Sequence, residues 1–367
     1  MSPHEKVTMN GVERTLRAFN FETTDRPPIA GGMVQDAEFL ASVAGVDDFW
    51  SAPRENVFRA FQRLGCDAIL GPVMPKPPGS TTIGTDGRPT DFARRHVVSE
   101  LTSPEEVAEY AANMPTPGEV RDRFDFQAAC DEYETRMVKG QAEAGDMLLI
   151  PHCLGYAPNF PTSNGHFTYE AFLMACTLYP DQMDCLFKQW GELSRLRCEA
   201  VAQVTTTRNL PRLLWIGSDI CDARGPVLSP RLFERLYFPS VARAIEPLKD
   251  AGMKVIWHAD ANYKEILPQL LALGIDGFQG FYETEDGILL ENLAQMKNRN
   301  GEPLILFGSV STAWVLPRGT VTDVERAVER CMAIGRERGG LLLAPSSSIG
   351  PEVPRENITA MYEQARA

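Results

Sequence analysis

A chain of 367 residues, 44% apolar and 23% charged, can bury a large core, and α/β barrels commonly reach this length as one domain. Its formal net charge of −13 argues against nucleic acid, whose phosphates require a basic surface. It contains no run of about 18 apolar residues, so no membrane span is expected.

Taken in chain order, the start lacks the apolar stretch of a secretory signal, and cytoplasm is the expected location. Val12 to Asn20 has a helical apolar rhythm and runs into Asp25-Arg26-Pro27-Pro28, where two prolines turn the chain into an extended stretch at 28–30. Residues 49–64 read as one helix and 66–70 as a buried strand between Gly65 and Gly71. Residues 71–98, rich in Gly, Pro and Thr, are expected to cover one end of the fold. From Gly145 onward strand and helix alternate. Strands are expected at 147–150, 213–217, 254–258, 277–280, 304–308 and 341–345. Helices are expected at 169–178, 181–204, 263–273, 288–297 and 321–338, with helical segments inside 230–251.

Short apolar strands separated by helices are the pattern of parallel βαβ units with both sheet faces covered. The expected fold class is therefore α/β, a (β/α)8 TIM barrel formed by residues 1–367 as one domain, with helical and loop additions at its N-terminal side. Periodicity alone leaves a doubly wound open sheet as the alternative. The chain has no G-x-G-x-x-G and no Walker motif, which removes the commonest open-sheet nucleotide readings. Its eight cysteines are scattered, with no pair at C-x-x-C spacing, and read as reduced, mostly buried thiols.

In such a barrel the chemistry sits where strands end. His258-Ala259-Asp260 follows the run 254–257, and alternation puts the imidazole and the carboxylate on one face. The pair could bind a divalent metal, or Asp260 could orient His258 for proton transfer; alternatively Asp260 only caps the next helix while His258 is packed. Asp219 follows 213–217, Ser346, Ser347 and Ser348 follow 341–345, and His152 and Tyr156 follow 147–150. His96 and His166 read as surface or structural, and Cys153 and Cys221 as inert thiols.

Four ordered blocks resemble the uroporphyrinogen decarboxylase superfamily, which includes the decarboxylase and the corrinoid- or coenzyme-M-dependent methyltransferases. They are Glu13 to Ala18 with Asp25 to Pro28, Gly217 to Asp219 with Gly225 to Pro230, Gly252 to Val255 with His258 to Asp260, and Pro351 to Ile358. The decarboxylase carries N-terminal arginines that bind its tetrapyrrole carboxylates, whereas 28–36 here contains none, although Asp219 matches the family aspartate beneath that substrate. In the methyltransferases zinc is held by His-x-Cys and a later Cys. Here His258 matches the histidine, Asp260 takes the place of the first cysteine and Ser347 that of the second.

That resemblance implies a methyltransferase or demethylase moving a methyl group from a small O- or N-methylated compound to a corrinoid protein or a thiol. His258 and Asp260 would hold a zinc-like divalent metal or polarise the heteroatom. Asp219 would assist, with Asp219 or Glu283 as extra metal ligands; Tyr156, Trp257 and Phe281 would wall the substrate and Ser347 contact it. A homodimer is also implied. Two alternatives stay open: a cofactor-independent decarboxylase with Asp219 stabilising a cationic intermediate and His258 delivering the proton, and a ligand-binding barrel without turnover.

Overall fold

Apolar runs of two to eight residues, each closed by glycine, proline or a helix cap, form parallel strands. They are β1 (Ala30–Gly31), β2 (Ala68–Gly71), β3 (Leu148–Pro151), β4 (Leu213–Gly217), β5 (Lys254–Ala261), β6 (Gly277–Phe281), β7 (Ile305–Phe307) and β8 (Leu341–Leu342). The structure, a computed structural model, describes residues 9–77, 82–83, 89–90, 101–151, 155–158, 160, 166–281, 283 and 287–367. The side chains of Asp260 and of 82–83 and 89–90 lie outside that set.

The fold is α/β, with two parallel sheets. β1, β2 and β3 pair in that order, and β8, β7, β6, β5 and β4 pair in the other sheet. The sheets meet at β1 and β8, where Ile29 bridges Leu343 in parallel; the Ala30 N–H donates to the Leu343 carbonyl at 2.8 Å and the Leu343 N–H to the Pro28 carbonyl at 2.9 Å. No ladder joins β3 to β4 among the described residues.

Successive strand side chains divide between two apolar layers, as a period of two requires. Ile69, Leu149, Ile216, Val255, Trp257 and Leu306 pack against the helices. Their neighbours Ala68, Leu148, Trp215, Ile256 and Phe307 form a separate cluster that also takes Ala30 and Leu342 from β1 and β8. The helix α1 (Gly11–Phe19) covers the strand starts; Phe19 stacks on Phe307 with centroids 5.5 Å apart.

Two buried carboxylates tie helices to this frame. Asp67 is 2% exposed and accepts from Arg14, from Arg26 at 2.5 Å and from the Ile29 N–H at 2.9 Å, while Arg14 also holds Asp25 at 2.6 Å. The sequence block Arg14, Asp25 and Arg26 is thus a clamp joining α1, the turn after it and the start of β2. Glu192, inside the long helix α2 (Pro180–Thr207), is fully buried and accepts from Arg121 at 3.0 Å, Arg195 at 2.9 Å and Arg243 at 2.8 Å.

Several expected elements need correction. Residues 49–64 are not one helix: a 3-10 turn, Phe49–Ser51, is capped by Asp48, and a new helix, Pro53–Arg63, begins with proline at its first position. Proline tolerates that position because the N–H it lacks has no intrahelical acceptor there. The strand at 254–258 continues to Ala261, so His258 lies within β5 and not beyond it. A closing helix, Arg355–Arg366, follows the last sequence block, whose Asn357 donates to the Leu316 and Gly319 carbonyls at 2.9 and 2.8 Å. Of the excursion at 71–98, a two-stranded antiparallel pair, Thr82–Ile83 with Pro89–Thr90, is described, and most of the rest lies outside the described residues.

Candidate active site

β5 is flanked on both sides, and its register fixes what meets His258. Gly217 of β4 pairs with His258 on one side and Gln279 of β6 on the other. A Cβ at position 217 would lie 2.2 Å from the His258 carbonyl oxygen, so only glycine lets β4 approach there. Inward phase continues from Ile256 to His258, whose ring meets Trp215 in a T-shaped contact at 5.3 Å.

His258 Nδ1 is hydrogen-bonded to Gln279 Oε1, and Gln279 Nε2 donates to the Ser346 carbonyl at 3.0 Å. Gln279 is completely buried, so both ends of its amide need partners, and both have them. Ser346 is itself anchored: its N–H donates to the Val310 carbonyl at 2.9 Å, and its Oγ accepts from the Thr312 N–H at 3.0 Å. The site is therefore an imidazole on β5, an amide on β6 and a carbonyl beyond β8, in series. Gln279 and Trp215 were not singled out from the sequence. The signal for Gln279 was there: one amide in the otherwise apolar run Gly277-Phe278-Gln279-Gly280-Phe281.

The other expected site residues fall in different places. Trp257, one residue before His258, is fully buried in the layer facing the helices and does not wall the face that His258 occupies. This corrects the expectation, and strand alternation is the reason. Phe281 is buried at the end of β6, its ring beside Gly308. Asp219 is exposed past the end of β4; its charge, after burial and Asp222, helps push the Cys221 thiol up to about 12. Cys221 is thus a protonated thiol at neutral pH, not a nucleophile. Ser347 is half-buried beside Ser346. The side chain of Asp260, and all of His4, His96, His152 and Cys153, lie outside the described residues. The strand register is irregular between His258 and Ala261, so simple alternation does not carry from 258 to 260.

Tyr156 belongs to a second location. Its hydroxyl accepts from Arg136 at 3.3 Å and its ring lies edge-on to Tyr133, beside a cavity of about 480 Å³ that Arg136, Tyr156 and Arg197 line. None of His258's named contacts lines that cavity. Glu283 is committed to Arg330, at 2.6 Å, and to the Leu290 N–H at 2.9 Å. His166 packs edge-on against Tyr110 at 4.5 Å.

No three His, Cys, Asp or Glu side chains converge to hold a metal among the described residues. The named contacts of His258 are the Gln279 amide and the Trp215 indole, and the side chain of Asp260, the other expected metal ligand, lies outside the described residues.

Residues 217–367 match the family described as Uroporphyrinogen decarboxylase (URO-D). That segment holds Gly217, His258, Gln279 and Ser346. Among solved structures, a methyltransferase from Methanosarcina mazei is similar with a TM-score of 0.61 at 16% identity, over 98% of this chain and 98% of that one. That likeness speaks for the fold. No curated protein matches. The sequence match to the uroporphyrinogen decarboxylase family thus covers the C-terminal part of the chain, which carries the site, and the fold is shared from end to end with a methyltransferase structure.

Proposed function

We propose that this chain is a methyltransferase-like enzyme that demethylates a small O- or N-methylated compound, with a corrinoid on a partner protein as the methyl acceptor. The reading takes the two sheets as one closed (β/α)8 barrel, joined through Ile29 and Leu343, with His258 near the carboxyl end of its strand. The observation that carries it is the held imidazole: His258 on the inward face, tied to Gln279 and set against Trp215. Ordering by a buried amide is what a group that moves a proton at a substrate heteroatom needs.

The corrinoid, when its carrier protein docks, supplies the methyl-accepting centre. The chain's own residues orient the donor and exclude water, and His258 gives a proton to the departing heteroatom as its bond to the methyl group breaks. A cofactor-independent decarboxylase is the second reading. In that reading Asp219 stabilises a cationic intermediate and His258 delivers the proton.

The test is methyl transfer from a broad panel of O- and N-methylated donors to a corrinoid protein, with CO₂ release measured in parallel. At least one donor is expected to turn over, and His258→Ala to lower that rate by about 10²- to 10⁴-fold, the usual worth of a positioned acid–base group. Failure with every donor, or CO₂ release from a carboxylated substrate, would contradict the methyl-transfer reading.

A further inference from the structure

The cavity of about 480 Å³ beside Tyr156 gathers hydrogen-bond donors. Glu132 and Arg136 are four apart on the helix Phe126–Ala144, and Arg197 and Val201 are four apart on α2, so each pair presents one face to it. Tyr156 is 8% exposed, and the Cys198 thiol holds its carbonyl at 3.4 Å. Its hydroxyl accepts from Arg136 at 3.3 Å, and among the described residues its own proton reaches no acceptor. Arg197 donates to the Gly155 carbonyl at 3.1 Å and makes no ion pair among the described residues. A guanidinium carries five N–H donors, so most of those on Arg197 are unspent. Both charges converge on the Tyr156 hydroxyl: burial raises its pKa, and Arg136 and Arg197 oppose that rise.

Two carboxylates also line the cavity, and both are committed. Asp125 accepts from the Ala128 N–H at 2.9 Å, and Glu132 from Arg136 at 2.9 Å. Arg136 and Glu132 balance one another, which leaves Arg197 as the guanidinium without a counter-ion. A single negative charge suits such a wall, whereas a dianion would also meet the charges of Asp125 and Glu132. The remaining surface is apolar and partly aromatic, from Phe124, Tyr133 and Val201. We propose that this cavity is a second ligand site, for a small monocarboxylate on a flat apolar body, such as an aromatic acid. The carboxylate accepts from Arg197 and from the Tyr156 hydroxyl, while Arg136 holds that hydroxyl in place. Polar groups few in number against an apolar wall fix the orientation of such a ligand. The site goes beyond the methyl-transfer reading and does not depend on it.

Calorimetric titration of the full chain with benzoate, neutral benzamide and inorganic phosphate tests the assignment. Benzoate is expected to bind at a single site. Benzamide and phosphate are each expected to bind at least about tenfold more weakly, the first for want of charge, the second for want of a ring and for its second charge. Arg197→Gln should weaken benzoate about 10- to 100-fold, the worth of hydrogen bonds from a charged donor, and Tyr156→Phe about 2- to 10-fold. His258→Ala should leave benzoate affinity as it is. Absence of benzoate binding, benzamide or phosphate binding as tightly, or an Arg197→Gln chain with wild-type affinity overturns the proposal. Loss of benzoate binding in His258→Ala overturns it as well, because the carboxylate would then sit at the other site. The three ligands compared on wild-type protein decide alone if a variant does not fold. Failure of the donor panel, with benzoate bound as expected, would instead overturn the methyl-transfer reading.

Discussion

His258 and His166 are both aromatic-packed histidines, but they sit in different surroundings. His166 sits against Tyr110 and Phe167 near the bridge from Leu101 to Phe167, among groups that pack. His258 has a buried amide on one side and an indole on another, and a glycine behind it that lets the neighbouring strand come close. That glycine yields a prediction. Gly217→Ala puts a methyl against the His258 carbonyl and must push β4 from β5, at a cost of about 1–3 kcal/mol, the usual range for overpacking. Thermal unfolding should register the loss, and the ring ¹⁵N signals of His258 should shift with it. A variant with wild-type stability and spectrum would show that the close approach does not hold the imidazole. From sequence, His258 was legible because a histidine follows an apolar run at a strand end. Its partner Gln279 was missed because an amide carries no charge and no motif, and its meaning appears only when β5 and β6 are laid side by side.

At the scale of elements, strand and helix boundaries followed composition closely wherever apolar runs were long. The strand at 213–217 and the helices at 169–178 and 321–338 have the expected limits. The misreading at 49–64 came from treating Pro53 as part of a continuing pattern when it starts a helix. The α2 helix carries what hydrophobic rhythm could not announce: a carboxylate, Glu192, wholly inside and faced by three arginines from different segments. Burial alone would raise its pKa, but the hydrogen bonds from Arg195, Arg121 and Arg243 outweigh it and hold the group down to about 2. Because the folded value lies below the unfolded one, the stabilisation is fully present above the ordinary carboxylate value of about 4.3 and is lost as pH falls toward 2. Glu192→Gln should therefore be less stable at neutral pH and flatten the dependence of Tm on pH between about pH 4 and pH 2. Equal acid sensitivity in variant and wild type would mean that other carboxylates govern the acid limb.

For the whole molecule, the sequence conveyed the alternation of parallel strands and covering helices, and hence the α/β class. The link between the two sheets was harder to read, because it depends on pairings between segments more than 300 residues apart, such as Ile29 with Leu343 and Val34 with Ile349. Local patterning does not encode which strand lies next to which. The apolar cluster of Ala30, Leu70, Ile150, Trp215, Ile256 and Phe307 draws on both sheets at once. Among the described residues no helix is long and apolar enough to cross a membrane. The blocks that carry the family resemblance include residues that do structural duty: Arg14 and Arg26 clamp Asp67, Arg14 also holds Asp25, and Asn357 caps two carbonyls. That resemblance did not identify the chemistry, because the positions that define zinc in the methyltransferases are Asp260 and Ser347 here.

The cavity lined by Arg136, Tyr156 and Arg197 competes with the proposed site at His258 for a small ligand. A crystal structure with a bound methyl donor decides between them. The account predicts the donor's heteroatom within hydrogen-bond reach of His258 Nε2, with the Gln279 amide still bridging to the Ser346 carbonyl. A donor seated instead between Arg136 and Arg197, with His258 untouched, would contradict it.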